Sequence, residues 1–159
     1  MRLNNRNRAG SYHLWVVLSA IFLALGCAVF LLELLHFDIL NEWQSALVII
    51  LPAIFALITY LRGPQIFEYD SDGEALNFRN TYVPSFQKIY TDEFPKYKLM
   101  KFEIIDALLL RRLYVTVTGK KGLVTLKYDI SYLRPKEVKA LKMSLNKVLK
   151  SNKETETRS

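Results

Sequence analysis

The hydrophobic positions along this chain change their period twice, and each change marks a boundary. No residue is charged from Leu14 to Leu32, nor from Trp43 to Leu61. Each stretch is nineteen residues long, which at helical rise covers roughly 28 Å, the thickness of a bilayer's hydrocarbon core. An isolated segment satisfies its own backbone in lipid only as a helix, so both stretches are predicted to be helical. The link from Glu33 to Glu42 is short. Residues 13–62 are therefore predicted to form an antiparallel two-helix transmembrane hairpin with both chain ends on one side.

Past Gly63-Pro64 the pattern switches to alternation. Short runs from Gln65 to Tyr69 and from Ala75 to Arg79 flank Asp70-Ser71-Asp72-Gly73-Glu74, a strong hairpin signal. Further strands are predicted over Tyr82–Tyr90, with Val83, Phe86 and Ile89 apolar, and over Tyr97–Ile105, with Leu99, Phe102 and Ile104 inward. Two more run over Leu113–Val117 and Leu123–Tyr128, joined by the tight turn Gly119-Lys120-Lys121-Gly122. Six short strands joined by turn chemistry predict an antiparallel sandwich or barrel. The period then changes again. Pro135 suits the first turn of a helix, and Val138, Leu141, Leu145, Val148 and Leu149 fall on one helical stripe. Lys136, Lys139, Lys142, Lys147 and Lys150 lie largely off it. The expected organisation is a basic N-terminus over 1–12, the hairpin over 13–62, a strand-rich domain over 63–150, and a frayed tail over 151–159 that carries no apolar side chain.

Composition sharpens this. The chain is 51% hydrophobic with a net charge of +7, but nineteen of its 22 Lys and Arg and twelve of its 15 Asp and Glu follow Leu61. Arg2, Arg6 and Arg8 precede the first span and Arg62 follows the second, while the link carries Glu33, Asp38 and Glu42 and no Lys or Arg. The positive-inside rule then predicts a multi-pass protein of the inner (cytoplasmic) membrane with both termini cytoplasmic. Tyr12, Trp15, Tyr60 and Trp43 sit where an aromatic belt would. The apolar core is too long for a signal peptide and a second span follows. A lipid on Cys27 is disfavoured because Ala28 to Leu32 stay apolar after it. Ala20, Ala24 and Ala28 recur every four residues and mark a candidate helix-packing face, towards the second span through Ala46, Ala53 and Ala56 or towards another subunit. Pro52 removes a backbone donor inside the second span.

Two segments carry a resemblance: Ile66-Phe-Glu-Tyr-Asp-Ser-Asp-Gly-Glu-Ala-Leu-Asn-Phe78, and Tyr128-Asp-Ile-Ser-Tyr-Leu-Arg-Pro-Lys-Glu-Val138. With two spans ahead of them, they resemble bacterial membrane proteins with a pleckstrin-homology-like (PH-like) domain, over about residues 65–150. The implied fold class is an α+β membrane protein: a transmembrane hairpin followed by a PH-like β-sandwich or barrel capped by a C-terminal amphipathic helix. The resemblance implies a binding platform with no shared catalytic residues. Phosphoinositide-binding members of the wider group carry Lys and Arg at the first hairpin, but this turn holds Asp70, Asp72 and Glu74. No specific phosphoinositide is expected there.

Catalytic chemistry is sparse. His13 and His36 lie at opposite ends of the first span, about 34 Å apart along a helix, and no His or Cys follows Leu61. Phosphate-loop, dinucleotide and zinc-protease motifs are missing. Asp92-Glu93 reads as a loop, and Asp70, Asp72 and Glu74 lack the remainder of a calcium loop. No enzyme activity, cofactor or metal is expected. Basic patches at Arg111-Arg112, beside Leu108-Leu109-Leu110, and at Lys120-Lys121 are candidate contacts with the membrane surface or with an acidic partner. Nucleic acid is not expected. Two roles remain. One is a membrane-anchored interaction module that docks a protein partner or senses the inner membrane surface. The other is an accessory subunit of a larger membrane protein complex held through the Ala20/Ala24/Ala28 face.

Overall fold

A computed structural model describes residues 1–35, 41–62, 65–83, 88–107, 110–120 and 122–156. The chain divides into two compact units. One is Gly10–Leu61; the other joins Met1–Ala9 to Arg62–Ser159.

The first unit is a helical hairpin. Helix α1 runs over Ala9–Leu34 and α2 over Glu42–Leu61, so both predicted spans are single helices long and apolar enough to cross a membrane. Their contact follows a seven-residue repeat. On α1 the least exposed positions include Val16, Ser19, Leu23, Gly26 and Phe30; on α2 they include Ser45, Val48, Pro52, Ala56 and Thr59. Gly26 marks the closest approach, because a Cβ there would lie 2.6 Å from the carbonyl oxygen of Val48 and 3.1 Å from Cγ of Pro52. Ser19 donates its hydroxyl proton to the Val16 carbonyl at 2.7 Å, and Thr59 to that of Phe55 at 3.0 Å. Neither hydroxyl is thus left unsatisfied. Ala20, Ala24 and Ala28 are exposed and lie off this seam; Gly26, lacking a side chain, lets the helices come closer than alanine would.

The second unit is an α+β arrangement of two antiparallel sheets. The first sheet orders β1 (Arg2–Asn4), β2 (Ile66–Asp70), β3 (Ala75–Thr81) and β4 (Lys88–Pro95); the second orders β5 (Leu99–Ala107), β6 (Leu110–Gly119) and β7 (Gly122–Asp129). The sheets do not close into a barrel. Helix α3, Pro135–Glu156, packs Leu141, Leu145 and Val148 into the core they share. That core is aromatic at its centre. Phe78 stacks on Phe94 at 5.7 Å and on Tyr128 at 4.8 Å, with Tyr69 at 5.1 Å.

Three expectations need correction. The N-terminus is not a separate basic segment: Met1–Ala9 belongs to the strand unit, and β1 pairs with β2 through Leu3↔Tyr69. Leu3 is buried in the core and Asn5 extends the ladder, accepting from the Phe67 N–H at 2.8 Å and donating to the Gln65 carbonyl at 2.9 Å. The helical hairpin is therefore an insertion between β1 and β2. The third expected strand lies later, over Lys88–Pro95, with Phe94 opposite Leu76; Pro84 lacks a ladder donor, and the calls on Pro84–Gln87, including Phe86, fall outside the described residues. The inward placement expected of Leu99, Phe102 and Ile104 holds, because a register shift between Leu99 and Lys101 switches parity in β5. Finally, the expected frayed tail is helical to Glu156. The Asn152 amide donates to the carbonyls of Lys96 and Leu99 at 2.8 and 3.0 Å, tying down that last turn.

Candidate interaction surface

The strand unit has two poles. One gathers the points where the chain leaves for the helices and returns. Arg8, directly before α1, pairs with Glu137 and donates to the Tyr132 carbonyl at 3.4 Å. Arg62, directly after α2, lies over the Tyr132 ring at 4.7 Å. Glu137 also accepts from the Arg134 backbone N–H at 2.7 Å, which caps α3. Asn80, fully buried, donates to the Asp129 carbonyl at 2.9 Å and accepts the Asp129 N–H at 3.1 Å, linking the two sheets. The opposite pole holds the β2–β3 turn with Gly73 at φ 72°, the turn 119–122 with Gly122 at φ 116°, and the 3-10 segment Lys96–Lys98.

The two predicted basic patches sit at opposite ends of β6, a ten-residue strand, and so lie about 30 Å apart. Arg111 is held by Asp106, with its Nε donating at 2.8 Å, and its side chain is only 22% exposed. Arg112 donates to Asp129 at 3.1 Å. Both guanidinium groups are thus engaged inside the unit, beside the pole where the helices connect. Lys120 is exposed at the far turn; Lys121, Leu108 and Leu109 lie outside the described residues.

Elsewhere in the unit the same division recurs. Arg2 pairs with Asp70 at 2.8 Å and Arg79 with Glu68 at 3.2 Å. The Asp70 carboxyl is held below its ordinary range, first by the Asp72 backbone N–H and then by Arg2. These ion pairs lie across a groove of about 310 Å³ on the outer face of the first sheet. By contrast Lys136, Lys139 and Lys147 make no ion pair among the described residues, and Lys150 only a long one, 3.9 Å to Glu154. These lysines are exposed on the side of α3 opposite Leu141, Leu145, Val148 and Asn152. In the sequence they read as the solvent side of an amphipathic helix. What pattern alone could not supply was that Arg2, Arg8, Arg79, Arg111 and Arg112 are each held by a carboxylate while Lys136, Lys139 and Lys147 are not.

Asp92 and Glu93 are consecutive on β4 and point to opposite faces, and Asp92 accepts from the Tyr128 hydroxyl at 2.8 Å. Tyr69, Ser144 and Ser71 form a hydroxyl chain at 3.0 and 3.2 Å; burial pushes the Tyr69 phenol up, so it supplies no base. No group of three or more His, Cys, Asp or Glu able to hold a metal occurs among the described residues. Compared with family models, with curated proteins and with solved structures, the chain matches none.

Proposed function

We propose that this chain is a non-enzymatic interaction module anchored in the inner membrane by α1 and α2, with the strand unit and both termini in the cytoplasm. The observation that carries the reading is the inverted burial of the hairpin: its spans have mean hydropathies of 2.6 and 2.1, yet only 11% of each is buried. A helix serving as the core of a water-soluble protein is mostly buried, whereas these expose Leu14, Leu18, Ile21, Phe22, Leu25 and Leu51. Lipid is the solvent in which such a surface is stable. The strand unit fits a PH-like platform, in that four-stranded and three-stranded sheets share a core with a C-terminal helix. Its β2–β3 turn carries Asp70, Asp72 and Glu74, the wrong sign for a phosphoinositide. The partner is a protein, engaged at the surface of the strand unit.

The exposure of Ala20, Ala24 and Ala28 favours a second reading, an accessory subunit whose α1 packs on another membrane helix through that face. Sidedness tests the first. In a Cys27→Ala background, a membrane-impermeant maleimide applied to spheroplasts should label Asn41→Cys and spare Lys153→Cys. Labelling of Lys153→Cys before lysis would overturn the cytoplasmic placement. Replacing Ala24 with Trp separates the second reading, since it should dissociate a complex held by that face and leave a lone module unaffected.

A further inference from the structure

We propose that the outward face of α3, formed by Lys136, Lys139, Lys147 and Lys150 around Met143, is the docking surface for an acidic polypeptide segment. The inference rests on the anchored-module reading and names the partner's chemistry.

Three observations carry it. First, the row is all of one sign. Lys136 and Lys139, and Lys147 and Lys150, are spaced i,i+3, which sets like charges side by side on one helix face. Among the described residues no carboxylate between Lys136 and Lys150 relieves it, because Glu137 is turned to Arg8 and the Arg134 N–H. Secondly, five arginines of the unit sit on carboxylates: Arg2 on Asp70, Arg8 on Glu137, Arg79 on Glu68, Arg111 on Asp106 and Arg112 on Asp129. The open face of α3 instead carries lysine, flexible and strongly hydrated. Met143, 58% exposed in the middle of that face, gives an adaptable apolar contact.

Thirdly, the row is extended along the unit. Its first turn is bonded to Arg8, the residue that leads into α1. Its middle meets the far end of β2, through Ser144 to Tyr69 and Ser71, and its last turns meet the carbonyls of Lys96 and Leu99 at the opposite pole. The helix therefore climbs away from the tether. Lys147 and Lys150 lie about 15 and 20 Å beyond Glu137 along the axis, so the charges form a line and not a single spot. An extended acidic segment laid along α3 engages the whole row.

The test uses the full chain in phosphatidylcholine nanodiscs and a fluorescent glutamate-rich peptide. Replacing Lys136, Lys139, Lys147 and Lys150 together by Gln should weaken binding by about tenfold or more. Replacing the same four by Arg should preserve it. A control variant with Lys98, Lys101, Lys120 and Lys127 changed to Gln loses the same charge elsewhere and should bind within about threefold of the parent. Equal weakening by both Gln variants, or none by the first, overturns the proposal. A second measurement places an environment-sensitive dye on Met143→Cys in the Cys27→Ala background. Its emission should shift on adding peptide and stay constant when phosphatidylserine replaces half of the lipid. A shift with phosphatidylserine alone assigns the face to the bilayer and overturns the proposal. Failure of the chain to enter nanodiscs at all would instead strike the anchored reading.

Discussion

In the strand unit the positions sealed from solvent include Tyr69, Phe67, Phe78 and Tyr128; in the hairpin they include Ser19, Gly26, Ser45 and Pro52. One region buries its largest side chains and leaves lysines outside. The other buries small and weakly polar ones and leaves leucines and isoleucines outside. The contrast follows from what each region is driven by. In water, apolar area is worth about 25 cal/mol per Å² buried, so bulk goes inward. Between helices in lipid that drive is gone, and close backbone approach decides the contact, so small residues go inward. With the hairpin in lipid, as proposed above, the same chain applies both rules, on either side of Gly10 and Leu61.

Opposite substitutions should therefore damage the two regions. Phe78 is fully buried and contacts Phe94, Tyr128, Tyr69 and Phe67. Phe78→Ala removes bulk from the aromatic core and should cost the strand unit about 3–5 kcal/mol. The loss is read from the urea midpoint followed by tyrosine fluorescence. In the hairpin it is added bulk that should hurt. Gly26→Ala sets a methyl group 2.6 Å from the Val48 carbonyl oxygen, a backbone atom that moves only with its helix, and should cost about 1–3 kcal/mol. Gly10→Ala is the control, since nothing lies within 4 Å of its Cβ position. Energy transfer between labels on α1 and α2, followed through denaturation in detergent, reports both. If Gly26→Ala is as silent as Gly10→Ala, the seam is not set by close approach and the comparison fails.

Asn5→Ala asks where the boundary between the regions lies. The side chain is buried and takes two ladder positions, with the Phe67 N–H and the Gln65 carbonyl. Removing it leaves both buried groups unpaired, which should cost about 1–3 kcal/mol. A basic tail independent of the sheet would register no change. Amide exchange at Phe67 gives the local readout and should speed up in the variant.

Much of this architecture was legible in the sequence, and the misses have physical causes. The two apolar helices showed because each carries nineteen uncharged residues without interruption. The β2–β3 hairpin and the β6–β7 turn showed because positive φ selects Gly73 and Gly122. Strand β1 did not, because Arg2-Leu3-Asn4 offers one apolar residue and its partner Tyr69 lies across the whole hairpin. Alternation in β5 was readable only piecewise, since the register shift after Leu99 changes which parity faces the core. At the surface, charge was visible and pairing was not. Asp106 and Asp129 hold Arg111 and Arg112 through cross-strand register, the pairs Asp106↔Arg111 and Arg112↔Asp129, which no local pattern encodes.

The smallest effect expected concerns the polar atom inside the aromatic core. Burial, and next the hydrogen bond to Asp92, push the Tyr128 phenol well above its ordinary range. The folded state thus binds the phenolic proton more tightly than the unfolded one. Stability from this group is fully present below the unfolded value near pH 10 and declines as pH rises above it. Tyr128→Phe keeps the ring on Phe78 but deletes the donor to Asp92, and should cost about 1–2 kcal/mol at neutral pH. Above pH 10 the parent should lose stability faster than the variant, so the two urea midpoints converge. Tyr69, raised by burial first, retains its own alkaline slope in both proteins, so the variant's profile is reduced in slope, not flat. If the two profiles stay parallel, the Tyr128 hydroxyl is not desolvated, and the strand unit's core is wetter than the contrast with the hairpin requires.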